Sequence, residues 1–559
     1  FVGNSAGKGA SSAPYGSGTY NAAMGYQALL NFTTAERVTA IGHQAAYNAT
    51  TSRFGVFLGY RAGFAVTTAD FGPIAIGHSA LGAMTDKVGN TAVGYEAAYA
   101  NDTATQATFI GYAAARLSTG GVNSTIIGSQ AGMYIVGSDN VHVGFQTGYY
   151  ATGSYNTFVG SAAGKGGQTS APYSSGQYNV AMGNQALEGF TTANYNTAIG
   201  HQAGEAITTG TGNTFLGFRA GITATTAAYS VGIGYGALGD ATLTGDYNIG
   251  IGNNAGLELT SGANNIILGH NAGYYMSDTG NTVLIGRYAG YNINSTDANG
   301  TIAIGFNTLL DLTSGTENTV IGYQAGKEVS TGDKNTGLGY QALAGSSVAA
   351  SYGDNNTAIG YKALTKVDYG GNTNTAVGSF AGSTLTQGSQ NVLLGVNALS
   401  SYAGYTANSN PHRNVCVGYE AMGVFARSGT GDDTRIEDNI AIGFQAFKGA
   451  NLGSNPTTSH TKNVAIGNYA LDATAANSQT GNVAIGHSSL TGMSSGTKNT
   501  AVGYLSGDSL QTGDNNTLLG WNVDVSATSG HNQIVLGSEF SGTANTRVHI
   551  GNSTSHIYN

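Results

Sequence analysis

An aliphatic residue or Met runs into a glycine 31 times in this 559-residue chain, inside phrases such as Asn196-Thr197-Ala198-Ile199-Gly200 and Asn463-Val464-Ala465-Ile466-Gly467. Of the 30 intervals between those glycines, 16 are 17 residues long. A short fixed period means one supersecondary unit stacked on itself, so the core is built rung by rung. Charged residues are 9% of the chain, against about 25% in ordinary soluble domains, and 89 glycines with many Ala, Asn, Thr and Ser take their place. A net charge of -9 offers no basic stripe for phosphates, which argues against nucleic acid as a partner. No run of 18 apolar residues occurs, so no membrane insertion by a helix is expected. Cys416, the single cysteine, takes a small-residue slot and reads as a buried free thiol.

Within a rung, the residue before the glycine is aliphatic or Met (Ile41, Leu58, Ile76, Val93), and the residue two places earlier is mostly Thr, Val or Ile (Thr91, Val141, Thr157). Period-two alternation over β-branched residues predicts a short strand, with those two positions facing the interior. The residue between them would then face outward, yet it is apolar in most rungs, including Phe57, Phe109, Phe158, Phe215 and Leu393. A second apolar face needs a partner, and a closed homo-oligomer, a trimer, is the simplest supply. Inward Thr argues against an ice-binding array. After the glycine come two variable residues and then Ala in 24 of 31 rungs, as in Gly25-Tyr26-Gln27-Ala28, which predicts a second, closely approached strand. The Asn that opens the strand suits a left-handed corner and an amide ladder along the stack. The expected fold is all-β, an elongated parallel β-roll or β-solenoid of about 31 rungs, spanning on the order of 150 Å at ~4.8 Å per rung.

A longer period overlies the short one. Residues 1–157 and 158–315 read as duplicated nine-rung blocks, with Ser12-Ala13-Pro14-Tyr15 matching Ser170-Ala171-Pro172-Tyr173. A continuous shaft is expected over 1–530, with a long-loop region at 396–467 and degenerate rungs over 531–559.

The phrase Asn-Thr/Val-Ala-Ile-Gly followed by x-x-Ala resembles the head repeats of trimeric autotransporter adhesins, which form a left-handed parallel β-roll in a homotrimer. Gly-Tyr-Gln-Ala-Gly/Leu with Thr-Gly-x-Asn-Asn-Thr turns also resembles bacteriophage tail-fibre shafts. The run from His531 to Asn559 resembles what precedes the self-cleaving trimerisation chaperone of such fibres. These resemblances imply a homotrimer and a virion or extracellular setting. Their partners would be other virion or fibre proteins and a host cell-surface receptor or glycan. The expected role is the non-catalytic structural shaft of a tail fibre that presents a receptor-binding end. A bacterial trimeric surface adhesin or extracellular filament is the alternative, with a polysaccharide-depolymerising spike behind it.

Candidate sites follow from departures from the repeat. Three consecutive intervals lengthen to 23, 25 and 24 residues between Gly395 and Gly467, and the loops there hold Tyr402, Tyr405, His412, Arg413, Arg427, Asp432, Asp433, Arg435, Glu437, Asp438, His460 and Lys462. In a chain this poor in charge, the cluster reads as a receptor or glycan contact, or a calcium site at its acids. The competing reading is loop expansion with charges for solubility. His142 and His549 sit in the small-residue slot, where copies could meet at an axis around a metal or anion. Tyr follows the glycine in many rungs, including Tyr26, Tyr60, Tyr95 and Tyr112, as sugar-stacking rings or a structural ladder. Catalytic residues and cofactors are not expected: glycoside hydrolysis needs a fixed carboxylate pair, and the only acid-rich stretch, 432–438, is a predicted loop.

Overall fold

The computed structural model describes residues 1–559 except 12–15, 69–70, 86–88, 102, 346–352, 368–369, 403–410, 426–434, 450–458, 474–476 and 559. The chain divides into two compact units, Phe1–Asp278 and Thr279–Asn559, each a parallel β-solenoid. The first unit stacks three-residue strands from Ala22–Met24 to Ile266–Leu268, paired in parallel and in phase, as in Thr39 with Val56 and Ala198 with Phe215. The second repeats this from Val283–Ile285 onward and adds a short parallel ladder of Arg435–Glu437, Ser459–Thr461, Gln479–Thr480 and Gly496–Thr497. Its last coils lengthen into Thr517–Asp524 and Ile534–Ser541, and His556–Tyr558 folds back antiparallel on Val548–Asn552. The only helical turn among the described residues is Thr296–Ala298.

The strands fall where the alternation predicts, but their faces are reversed. The middle residue points inward: Ala40, Phe57, Phe109, Phe158 and Phe215 are fully buried. The flanking residues point outward, so Thr39 is half-buried and Ile41 is 42% exposed. Packing inside the coil decides the orientation. Where the middle residue is large, the residue six places later is small in most coils, as with Phe57 and Gly63, Phe158 and Gly164, or Phe215 and Gly221; each of those rings occupies the space a Cβ on its glycine would need. Where the middle residue is Ala or Gly, Leu fills the gap in many coils, as with Ala181 and Leu187 or Gly232 and Leu238, and where both slots are small, as with Ala376 and Gly382, side chains of the adjoining coils fill it. A Cβ on Gly250 would meet Leu238 Cγ at 2.8 Å. Volume is therefore balanced both within a coil and between adjoining coils, as dense interiors require.

The segment after each glycine is a chain of turns in place of the second strand expected from the repeated Ala. Alternate residues take left-handed backbone, Gln44 at φ 55° and Ala46 at φ 51°. Alternate N–H groups there donate in opposite directions along the stack, from Gln44 back to the Tyr26 carbonyl (2.8 Å) and from Ala46 forward to the Ala62 carbonyl (2.9 Å). Ala45, Ala62 and their equivalents are buried because the turn passes over the core. The glycine at the corner has no alternative: Gly252 has φ 135°, and a Cβ there would lie 2.6 Å from the carbonyl oxygen of Gly269.

The expected amide ladder is present. Asn196 Oδ1 accepts from the backbone N–H (2.9 Å) and Nδ2 (3.1 Å) of Asn213. Its own Nδ2 donates to Asn179 Oδ1 (3.2 Å) and to the Gly210 carbonyl (2.9 Å). The left-handed corner belongs to the preceding residue, Tyr195 at φ 59°, and not to the Asn. Replacing Asn196 by Ala strands a buried N–H and a buried carbonyl, so Asn196→Ala should lower stability by about 2–4 kcal/mol. Asn184→Ala, on an exposed slot, should stay within about 0.5 kcal/mol. Urea denaturation of both variants checks this, and equal losses would remove the ladder's special role.

Candidate functional site

The long-interval residues that are described lie on successive rungs of the second unit. His412 bridges Ser389 on one side and Glu437 on the other, and its Nδ1 accepts from the Ser389 N–H at 3.1 Å. Burial pushes the His412 pKa below its usual value. Arg413 follows at a left-handed corner; its Nε donates to Asp438 Oδ1 (2.6 Å) and its Nη2 to Glu437 Oε2 (3.1 Å) and Asp438 Oδ2 (3.3 Å). The Arg413 guanidinium holds the Asp438 carboxyl below its usual range. Asp438 and Lys462 occupy the same corner slot one and two coils on, the Lys462 N–H donating to the Glu437 carbonyl (3.0 Å). Stacking thus brings Arg413, Asp438 and Lys462 into a column of alternating charge. Its acids are already engaged by an exposed cation, an arrangement worth little to stability. Arg435 is exposed at the start of its strand. Tyr405, Arg427, Asp432, Asp433 and the side chain of Tyr402 lie outside the described residues, so the cluster is assembled only in part.

The histidines expected at a shared axis are inside the chain's own coils. His142 is fully buried at a middle-strand position, stacked on Phe158 at 5.0 Å, with no hydrogen-bond partner on Nδ1 or Nε2. His549 is equally buried, with Nε2 accepting from the Thr543 N–H at 3.3 Å. The axis placement fails because the middle position faces inward. His460 is buried too, near Phe447, while its carbonyl holds Asn439 Nδ2 at 2.7 Å. Cys416 is a buried free thiol with its pKa pushed above the usual range, and its Sγ meets Met422 Sδ at 3.2 Å.

The tyrosines after the glycine form stacks. Tyr26, His43, Tyr60, His78, Tyr95 and Tyr112 follow one another at centroid spacings of 4.8–5.2 Å, nearly parallel. Rings so stacked cover each other's faces and turn their edges to solvent, which favours the structural ladder over sugar stacking along the run. A second stack joins Tyr155, Tyr178 and Tyr195 at the left-handed corners.

The outer strand face carries the residues that the alternation placed inside. Its column before the glycine is aliphatic or Met throughout, with Met182 42%, Leu216 43% and Leu338 47% exposed. Its neighbouring column mixes Thr with Val and Ile. Outward Thr removes the ground on which an ice-binding array was set aside, although its companion column is aliphatic or Met throughout. The two turn-side slots at Tyr288 and Tyr291 form a cleft that no spacing signal revealed.

Burial of His142 predicts a pH effect. Its pKa is lowered from 6.5 to about 3, so below about pH 6.5 the unfolded chain takes up a proton that the folded chain refuses. Stability is full above that pH and declines toward about pH 3, by about 2 kcal/mol at pH 5 from this group. His142→Leu, the pairing already used by Leu284 with Gly290, should remove that share. Denaturation midpoints of wild type and variant at pH 8 and pH 5 check it; an equal pH response in both would show that His142 is not the cause.

No protein-family model matches this chain, and no curated protein matches it significantly.

Proposed function

We propose that this chain is the structural shaft of a fibre, specifically of a bacteriophage tail fibre, in which three copies pack around a common axis and carry a host-receptor-binding end. The outward aliphatic column supports this reading most directly. Soluble monomers seldom expose contiguous apolar patches beyond about 300–600 Å². Here a half-exposed Ile, Leu, Val or Met recurs on coil after coil within each unit, as at Ile199, Leu216, Ile233 and Ile251.

A partner must match a periodicity of one aliphatic side chain per rung. Another copy of the same chain supplies that match without any new sequence, and it places like residues at like heights. The number three comes from the resemblance of the Asn-Thr/Val-Ala-Ile-Gly phrase to trimeric adhesin heads and fibre shafts. Stacked amides and densely packed coils supply rigidity, and a low charge content leaves self-association to shape and apolar contact.

Native mass spectrometry should give three times the 56.4 kDa of one chain. Leu216→Asp with Ile251→Asp alters only the outer face and should yield single chains with an unchanged circular dichroism spectrum. A wild-type monomer would overturn the trimer. Antibodies against the chain should decorate virion tails in electron micrographs, whereas labelling confined to bacterial surfaces would replace the fibre by an adhesin.

A further inference from the structure

We infer that the cleft lined by Tyr288, Tyr291, Asn292, Asn307 and Leu310 is a binding site for a neutral pyranose sugar. It lies on the turn side of the second unit, not in the long-interval loops, and it stands whether or not the fibre reading holds.

The cleft arises from two departures in adjacent coils. The slot two places after the corner glycine carries an amide in 14 of 31 rungs, and there neighbouring Gln side chains can link coil to coil, as Gln341 Nε2 does to Gln324 Oε1 at 2.9 Å. In the coil beginning at Gly286 that slot holds Tyr288, at φ 58°, and three residues on stands Tyr291. The next coil has the shorter Asn307 and Leu310 at the same two slots. Both outlines shrink together, leaving a cleft of about 370 Å³. That volume is within the usual range for small-molecule sites, about 300–1,000 Å³.

Its chemistry is that of sugar recognition. The Tyr288 and Tyr291 rings meet edge to face, 5.4 Å between centroids at 85°, and form a corner of two perpendicular aromatic surfaces. Such a corner suits the C–H face of a pyranose and fixes its tilt. Arg287 caps Tyr288, with its guanidinium 4.8 Å from the ring centroid and Nη2 3.3 Å from the hydroxyl oxygen. Asn292 is held by donation from Nδ2 to Asp311 Oδ1 at 3.1 Å. Asn307 Oδ1 is covered by protein yet has no hydrogen-bond partner. Rotation about the soft terminal torsion of that amide would let it accept from a ligand hydroxyl, which meets an otherwise unmet requirement. No lining side chain carries a charge, so the geometry selects a neutral sugar over a phosphate or a uronic acid.

Saturation-transfer NMR and titration calorimetry on the full chain, with maltotetraose, cellotetraose and laminaritetraose as probes, test this. At least one should bind with a dissociation constant on the order of 1 mM. Tyr291→Ala and Tyr288→Asn should each weaken that binding by about tenfold or more. Asn is native to the latter slot at Asn254, Asn271 and Asn307, so Tyr288→Asn should keep the wild-type melting temperature. Binding of none of the three probes would overturn the inference, as would binding that both variants leave unchanged while they melt like wild type. A trimer that fails to bind would sink the sugar site alone, and a monomer that binds would sink the trimer alone.

Discussion

The buried asparagine that opens most strands is the interaction on which the rest depends. One Oδ1 accepts both the backbone N–H and the side-chain amide of the next asparagine, and one Nδ2 reaches the carbonyl of a passing loop, as Asn391 does with Asn374 and Pro411. Inside a coil with no room for water, each such group would otherwise be an unpaid desolvation penalty. The ladder also fixes register, because a coil displaced by one residue would lose all of these bonds together. Intervals as long as 25 residues between Asn414 and Asn439 are tolerated because the amides still meet at 3.0 Å. Loop length is free where the ladder closes beneath it.

Register, once fixed, turns single residues into columns. Like side chains fall above like, so tyrosines become stacks, the residues before the glycines become an aliphatic strip, and Arg413, Asp438 and Lys462 become a charge ladder. Function in such a molecule lies in columns and in their interruptions. The Tyr288–Asn307 step is an interruption of this kind, in which a column that normally satisfies itself opens toward solvent.

The period, the three-residue strands and the amide ladder could be read from the residues because each leaves a local signal: alternation at Thr39-Ala40-Ile41, and Asn at a constant offset from Gly. Which face was interior could not be read from that alternation, since both faces are apolar and period two separates them without ranking them. The signal that ranks them is the size pairing of Phe57 with Gly63 and of Ala181 with Leu187, which is present in the sequence as a correlation six residues apart. The reversal carried the histidines with it: His142 and His549, expected outside, are inside. The cleft was hidden for another reason, because Tyr288 and Asn307 are 19 positions apart and become neighbours only when the interval between their coils is threaded.

Volume balance along the stack also bears on how such a chain changes over generations. Phe215 fills the space over Gly221 in its own coil and also over Gly232 in the next, and Leu238 fills the space over Gly250 and Gly256 of the coil that follows it, so part of a coil's compensation lies in its neighbour. The exchangeable genetic cassette is therefore a block of matched neighbours, longer than one coil. Unequal crossing-over that moves such a block keeps bulky side chains and their glycines together, whereas moving a single coil would separate Phe215 from Gly232. Natural variants of this gene should differ by blocks of several periods, as residues 1–157 and 158–315 already do.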